Sequence, residues 1–280
     1  MILKTFLQII KMSLIKNAFE TKSEQNEAAL LSYTVACDPN FETSLKIMHE
    51  IANNGATALE IGIPHNCCIG EGDKIQNAVD RVLRNDTKID DIFKLIIEFR
   101  KSNKVTPLIF MLYYNSALQY GEDNFIRKCS EVGINGLIIV DFPYPQNFDF
   151  AKKCKASNIT FIQLLSPTTN EDRMKKVIND SDMIYYISML STTGGKLKVV
   201  PEEILEKYKL IKSIKNDINV IIGFGITPEN INQFKQSDSV VVGSFLCNKI
   251  EESIRDGKEP SIEIGKTRCS NPSWTPMNIP

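Results

Sequence analysis

The stretch Val220-Ile221-Ile222-Gly223-Phe224-Gly225-Ile226-Thr227-Pro228-Glu229 passes from a continuous apolar run, through a glycine-bearing loop, to a helix start. Thr227 has the chemistry of an N-cap, Pro228 that of the first helical position and Glu229 that of a first-turn acid. An uninterrupted apolar run is what a parallel strand covered on both faces requires, so this unit predicts a strand followed by its crossover helix. The same grammar recurs outward. Strand-like runs occupy 30–35, 58–61, 108–112, 136–140, 160–164, 183–187, 220–222 and 240–242. Helical stripes lie between them: Leu45, Met48 and Ile51 ending at Gly55; Ile92, Leu95, Ile96 and Phe99; Phe125, Cys129 and Val132 ending at Gly133. Both glycines fall where a helix commonly turns left-handed to stop. Eight runs in strict alternation predict an α/β fold, a closed parallel (β/α)8 TIM barrel with an extra N-terminal helix. An open doubly wound sheet is the competing architecture, but no Gly-x-Gly-x-x-Gly follows the first run. The organisation expected is an N-terminal extension over 1–17, the barrel over 18–256 and an irregular tail over 257–280 that carries four prolines and Trp274.

Composition agrees with one large domain. The 280 residues are 42% hydrophobic and 24% charged, enough to build a sizeable core. Thirty-three Lys and Arg against 34 Asp and Glu leave no global field to recruit nucleic acid or an anionic membrane. Seven cysteines without a repeating spacing argue against a disulfide framework and for a reducing, cytoplasmic setting. The apolar opening, Met1 to Lys11, is interrupted by lysines and followed by no small-residue cleavage site, so neither a secretory signal nor a membrane span is expected; Met12 is an alternative start.

In a β/α barrel the chemistry sits where strands end, and phosphate often binds after the last two. Three glycine-bearing loops stand there: Ser191-Thr192-Thr193-Gly194-Gly195, Gly223-Phe224-Gly225-Ile226 and Gly243-Ser244-Phe245. Glycine lets backbone amides approach an anion closely, with a helix N-terminus behind them. The last two loops carry no Lys or Arg, which fits recognition by backbone dipoles. At the end of the second run, Glu60 interrupts the apolar Ala58-Leu59-Glu60-Ile61-Gly62-Ile63-Pro64. A buried carboxylate needs a partner or a job, and no basic partner is evident, so Glu60 is expected to be a general acid/base with a raised pKa. Glu71 follows in Gly70-Glu71-Gly72-Asp73; taken alone it is a solvated loop acid. His65, Cys67 and Cys68 suggest a metal, but adjacent cysteines chelate one ion poorly, so a metal-free loop is expected. A reactive thiol at Cys67 or Cys68 has nothing evident to lower its pKa except the helix start that follows.

The chain resembles the tryptophan synthase alpha subunits from about Ala18 to Ile250. The resemblance rests on Asp38-Pro39, Ala58-Leu59-Glu60-Ile61-Gly62-Ile63-Pro64, Ile75-Gln76-Asn77-Ala78, Tyr113-Tyr114-Asn115, Val140-Asp141-Phe142-Pro143, Ser166-Pro167-Thr168-Thr169, Tyr185-Tyr186-Ile187-Ser188, Thr193-Gly194, Gly223-Phe224-Gly225-Ile226 and Gly243-Ser244, in that order. It implies retro-aldol cleavage of indole-3-glycerol phosphate to indole and glyceraldehyde 3-phosphate. Glu60 aligns with the family's catalytic glutamate and Tyr185 with the tyrosine beside it. Tyr33, Met111, Ile138, Leu165 and Phe224 align with positions enclosing the indole, and Gly194, Gly225, Gly243 and Ser244 with the phosphate site. No cofactor is implied in this chain; pyridoxal phosphate belongs to the beta subunit, the partner implied, in a heterotetramer. The sequence departs from the family in the loop after the second run. Glu71 stands where the family has its second catalytic acid, an aspartate, and Cys67 where it has an aspartate associated with signalling to the beta subunit. Met189 and Ser191-Thr192 replace Arg and Gly-Val in a loop that acts as a lid. The altered loop from Asn66 to Asp73 motivates the alternative of a phosphate-binding subunit that regulates or stabilises a beta subunit without turning substrate over.

Overall fold

The computed structural model describes residues 13–188 and 200–266. The opening segment, Met12, Met189, Ser191, Thr192, Gly194 and the tail from 267 with Trp274 lie outside the described residues. Nine parallel strands form one sheet: β1 (Ala29–Val35), β2 (Ala58–Gly62), β3 (Leu108–Leu112), β4 (Gly136–Ile139), β5 (Thr160–Phe161), β6 (Gln163–Leu165), β7 (Met183–Ile187), β8 (Asn219–Gly223) and β9 (Ser239–Val242). Their spatial order is β5-β4-β3-β2-β1-β9-β8-β7-β6. The two ends of that order, β5 and β6, are consecutive pieces of one run broken only at Ile162, so the sheet closes through the chain itself. The expected eight-stranded barrel is therefore present, with its fifth strand in two pieces.

The strands are buried almost without exception, because side chains of one parity fill the barrel and those of the other meet the surrounding helices. Helices Phe41–Asn53 and Glu122–Val132 stop at the positive-φ glycines Gly55 and Gly133 (φ 97° and 88°). The helix expected from Thr227-Pro228-Glu229 is a correction. Only a 3-10 helix, Ile231–Phe234, follows, because about a dozen residues separate the loop from β9 and leave no room for three turns.

The extra N-terminal helix is present, and the segment after the barrel does more than the sequence suggests. Helix Leu14–Glu24, capped by Ser13, begins inside the expected extension and buries Ile15 and Phe19. Ile15 Cδ1 stands 2.8 Å from where a Cβ on Gly136 would lie, at the start of β4. The helix thus plugs the bottom of the barrel, opposite the strand ends, and only glycine leaves it room. At the other terminus the expectation of an irregular tail is overturned over Pro260–Lys266, which is helical, buries Ile264 and packs on helix Phe41–Asn53. Its two isoleucines, Ile262 and Ile264, are two apart and give no helical period, so a docking helix of about two turns was not legible.

Candidate active site

Strand register decides which side chains share the mouth. Glu60 pairs with Tyr33 on one side and with Ile109 on the other, so all three face the same way. Gly62, Met111 and Ile138 form the next layer towards the strand ends. Across the barrel Tyr185 pairs with Ile221 and with Leu164. The sheet thus brings Tyr33, Glu60, Met111, Ile138 and Tyr185 together inside the barrel. Leu165 is a correction: it registers with Tyr186 and shares the outer face with Gln163, which is hydrogen-bonded to Asn147. Leu164 takes the inward position. Two successive leucines offer no alternation, so period-2 reasoning had nothing to choose between them.

The two inward tyrosines bring their hydroxyl ends over glycines. A Cβ on Gly62 would collide with the Tyr33 hydroxyl, and one on Gly223 with that of Tyr185. A Cβ on Gly243 would likewise crowd Tyr33, lying 3.1 Å from the tyrosine Cβ. These glycines make room for aromatic walls, a role the sequence did not reveal because a glycine's neighbour across a sheet is non-local. Phe224, held at φ 73°, sets its ring edge-on to Tyr185 at 6.2 Å.

Glu60 is wholly buried, and neither of its carboxyl oxygens has a hydrogen-bond partner among the described residues. Burial alone pushes its pKa up to about 8, since no positive charge or donor offsets the loss of water. Near neutral pH it stands as a carboxylic acid that can give a proton and, once ionised, take one back. Burial also pushes Tyr33 and Tyr185 well above the usual tyrosine range, and the negative charge of Glu60 adds to both. The charge of Glu71 raises Tyr33 as well.

Glu71 is not the solvated residue its loop suggests. It is half-buried, and burial raises its pKa while a hydrogen bond from the Tyr113 hydroxyl lowers it. The Gly70 amide donates to the same hydroxyl oxygen at 2.9 Å. His65 stacks on the Tyr113 ring with centroids 4.9 Å apart, and its Nδ1 accepts the Cys67 amide at 3.1 Å. Tyr113, quoted above only within a family motif, and His65, weighed above only as a metal ligand, thus meet beside Glu71.

Opposite, helix Ser244–Arg255 starts directly after β9 with Gly243 as its N-cap and no side chain spent on capping. Its first amides have no carbonyl partner within the helix. Gly225 takes φ 66°, its carbonyl held by Asn230 Nδ2 at 2.8 Å, while Ser188 donates to the carbonyls of Gly223 and Phe224 at 2.6 and 2.5 Å. Ser188, part of a family motif, holds the loop from across the sheet, and Asn230 holds it from five residues on. Gly225 and Gly243-Ser244 thus follow the ends of the paired neighbours β8 and β9; Gly194 lies outside the described residues.

The molecule is a closed β/α barrel with two carboxyl groups and a backbone-amide corner at the carboxyl ends of its strands. The tryptophan synthase alpha chain family profile matches residues 19–271. The alpha chain of Pelagibacter ubique (strain HTCC1062) is 52% identical over 254 residues, 90% of this chain and 96% of that one. That of Nitrosomonas europaea is 32% identical over 245 residues, 86% and 88%. A crystal structure of the alpha subunit from Legionella pneumophila str. Paris superposes with a TM-score of 0.85 at 32% identity, covering 94% of this chain and 98% of that one. The chain belongs to the tryptophan synthase alpha chain family, lyases that cleave indole-3-glycerol phosphate to indole and glyceraldehyde 3-phosphate in tryptophan biosynthesis. The family's alpha chain carries no cofactor, pyridoxal phosphate belonging to the beta chain. Among the described residues no helix is long and apolar enough to cross a membrane, and no cluster of His, Cys, Asp and Glu could hold a metal ion.

Proposed function

We propose that this chain carries out the family's retro-aldol cleavage with Glu60 as general acid/base, and that the observation carrying this role is its unpartnered, fully buried carboxyl group. Protonated Glu60 supplies the proton to indole C3, which turns the ring into a leaving group. The carboxylate so formed takes the proton of the side-chain hydroxyl as the carbon–carbon bond breaks and the aldehyde forms. Tyr185 stands beside it, and Tyr33, Met111, Ile138, Leu164 and Phe224 enclose the indole. Glu71 accepts the indole N–H, while the amides around Gly225, Gly243 and Ser244, with Gly194, hold the phosphate. The family and the Pyrococcus furiosus tryptophan synthase a2b2 complex, whose alpha chain superposes with a TM-score of 0.73 at 26% identity, support a beta subunit as partner. Six free cysteines among the described residues support a cytoplasmic setting.

The test is indole release from indole-3-glycerol phosphate by the purified protein, alone and with a beta subunit. Glu60→Gln should lower kcat by about 10²–10⁴-fold while phosphate-ligand binding persists. A wild-type protein that binds substrate and releases no indole under either condition overturns the catalytic reading in favour of a regulatory subunit.

A further inference from the structure

We propose that Tyr113 is a positioning residue for the second acid: its hydroxyl pins Glu71 and the Gly70 amide together and so sets where the Glu71 carboxylate meets substrate. This rests on the reading of Glu71 as the group facing the indole N–H. Three observations carry it. The Tyr113 hydroxyl is the shared node of the loop, accepting from Gly70 N at 2.9 Å and donating to Glu71 Oε2. Gly70 makes that approach possible, since a Cβ there would lie 3.2 Å from the same hydroxyl and 3.3 Å from Val140 Cγ1. The ring itself cannot swing. It is 4% exposed, stacked on His65 at 4.9 Å, and it directly follows the end of β3.

The need for such a device follows from the chemistry of a glutamate on a loop. Glu71 has three rotatable side-chain torsions and a glycine on each side, so its loop restrains the carboxylate little. A hydrogen bond to a rigid phenol on a neighbouring strand end removes that freedom before substrate arrives. Catalytic groups misplaced by about 1 Å can lose on the order of a hundredfold in rate. The same bond lowers the pKa of Glu71 against the effect of burial, so it also favours the ionised form that accepts an N–H.

The experiment is a double-mutant cycle in kcat for indole release, using Tyr113→Phe, Glu71→Gln and the pair. If Tyr113 acts through Glu71, Tyr113→Phe lowers kcat by about 10–100-fold with KM changed less, and costs nothing further in the Glu71→Gln background. The acid limb of its pH profile should also move to higher pH, because the Tyr113 hydrogen bond no longer offsets the effect of burial on Glu71. Equal fractional losses in both backgrounds, or an unmoved acid limb, overturn the proposal. Should Tyr113→Phe fold poorly, Gly70→Ala pushes the loop from the same hydroxyl and must show the same non-additivity. A wild-type enzyme without indole release defeats the catalytic reading; an active one with an additive cycle defeats only the role of Tyr113.

Discussion

Two buried carboxyl groups one strand apart, Glu60 in β2 and Asp38 in the turn after β1, have opposite surroundings. Asp38 has a side chain with no exposure, yet Arg81 Nε and Nη2 each reach one of its oxygens at 2.9 Å. Burial pushes the Asp38 carboxyl up, the guanidinium pulls it back, and Arg81 is itself raised by the carboxylate. The pair ties the β1 turn to helix Asp73–Arg84, whose start follows the Glu71 loop. Glu60 has no such partner and is left to burial alone. A satisfied buried acid fastens two elements together, whereas an orphaned one costs stability and persists where chemistry needs a proton.

The largest expected effect separates the two by activity. Glu60→Gln should remove about 10²–10⁴-fold in kcat. Asp38→Asn should instead show its loss in unfolding midpoint; if its activity falls as far as that of Glu60→Gln without unfolding, the contrast fails. Next comes Arg81→Met, which strands Asp38 as an unpaired buried charge and should cost about 3–5 kcal/mol in urea unfolding. A loss below about 1 kcal/mol, the range of exposed pairs, would mean that the pair is screened by solvent.

Stability against pH comes third. The folded pKa of Glu60, about 8, lies above its ordinary value of 4.5. Its contribution to stability is therefore complete below the ordinary value and is lost as pH rises through the folded one. Glu60→Gln, which does not titrate, should gain on the wild type by about 2–5 kcal/mol between pH 5 and 9. Parallel stability curves over that range would show that Glu60 is hydrated. The smallest effect concerns the wall. Met111, in register with Gly62, lies on the face of Glu60, and Met111→Gln brings a donor towards it. The alkaline end of that window should move down by roughly one pH unit, and an unmoved end would mean that the two side chains do not meet.

How far this was legible differs by element. The eight runs, the stops at Gly55 and Gly133, and Glu60 as an unpaired acid all follow from local pattern, since strand burial and helix periodicity are written residue by residue. Asp38 and Arg81, 43 positions apart, gave no such sign, nor did Tyr113 and Glu71.

By itself the sequence determined the alternation of strand and helix, the barrel it implies and the acid at the end of its second strand. Only the tertiary structure decided that Leu164 and not Leu165 faces inward, that Ile15 closes the bottom, and that glycines 62 and 223 exist to seat tyrosines from neighbouring strands. The physical reason is the range of the forces involved. Propensity and burial act on each residue and its near neighbours in the chain, so they can be read in order. Register, close approach and the pairing of buried polar groups depend on which distant residues meet, and that is settled only when the sheet has closed.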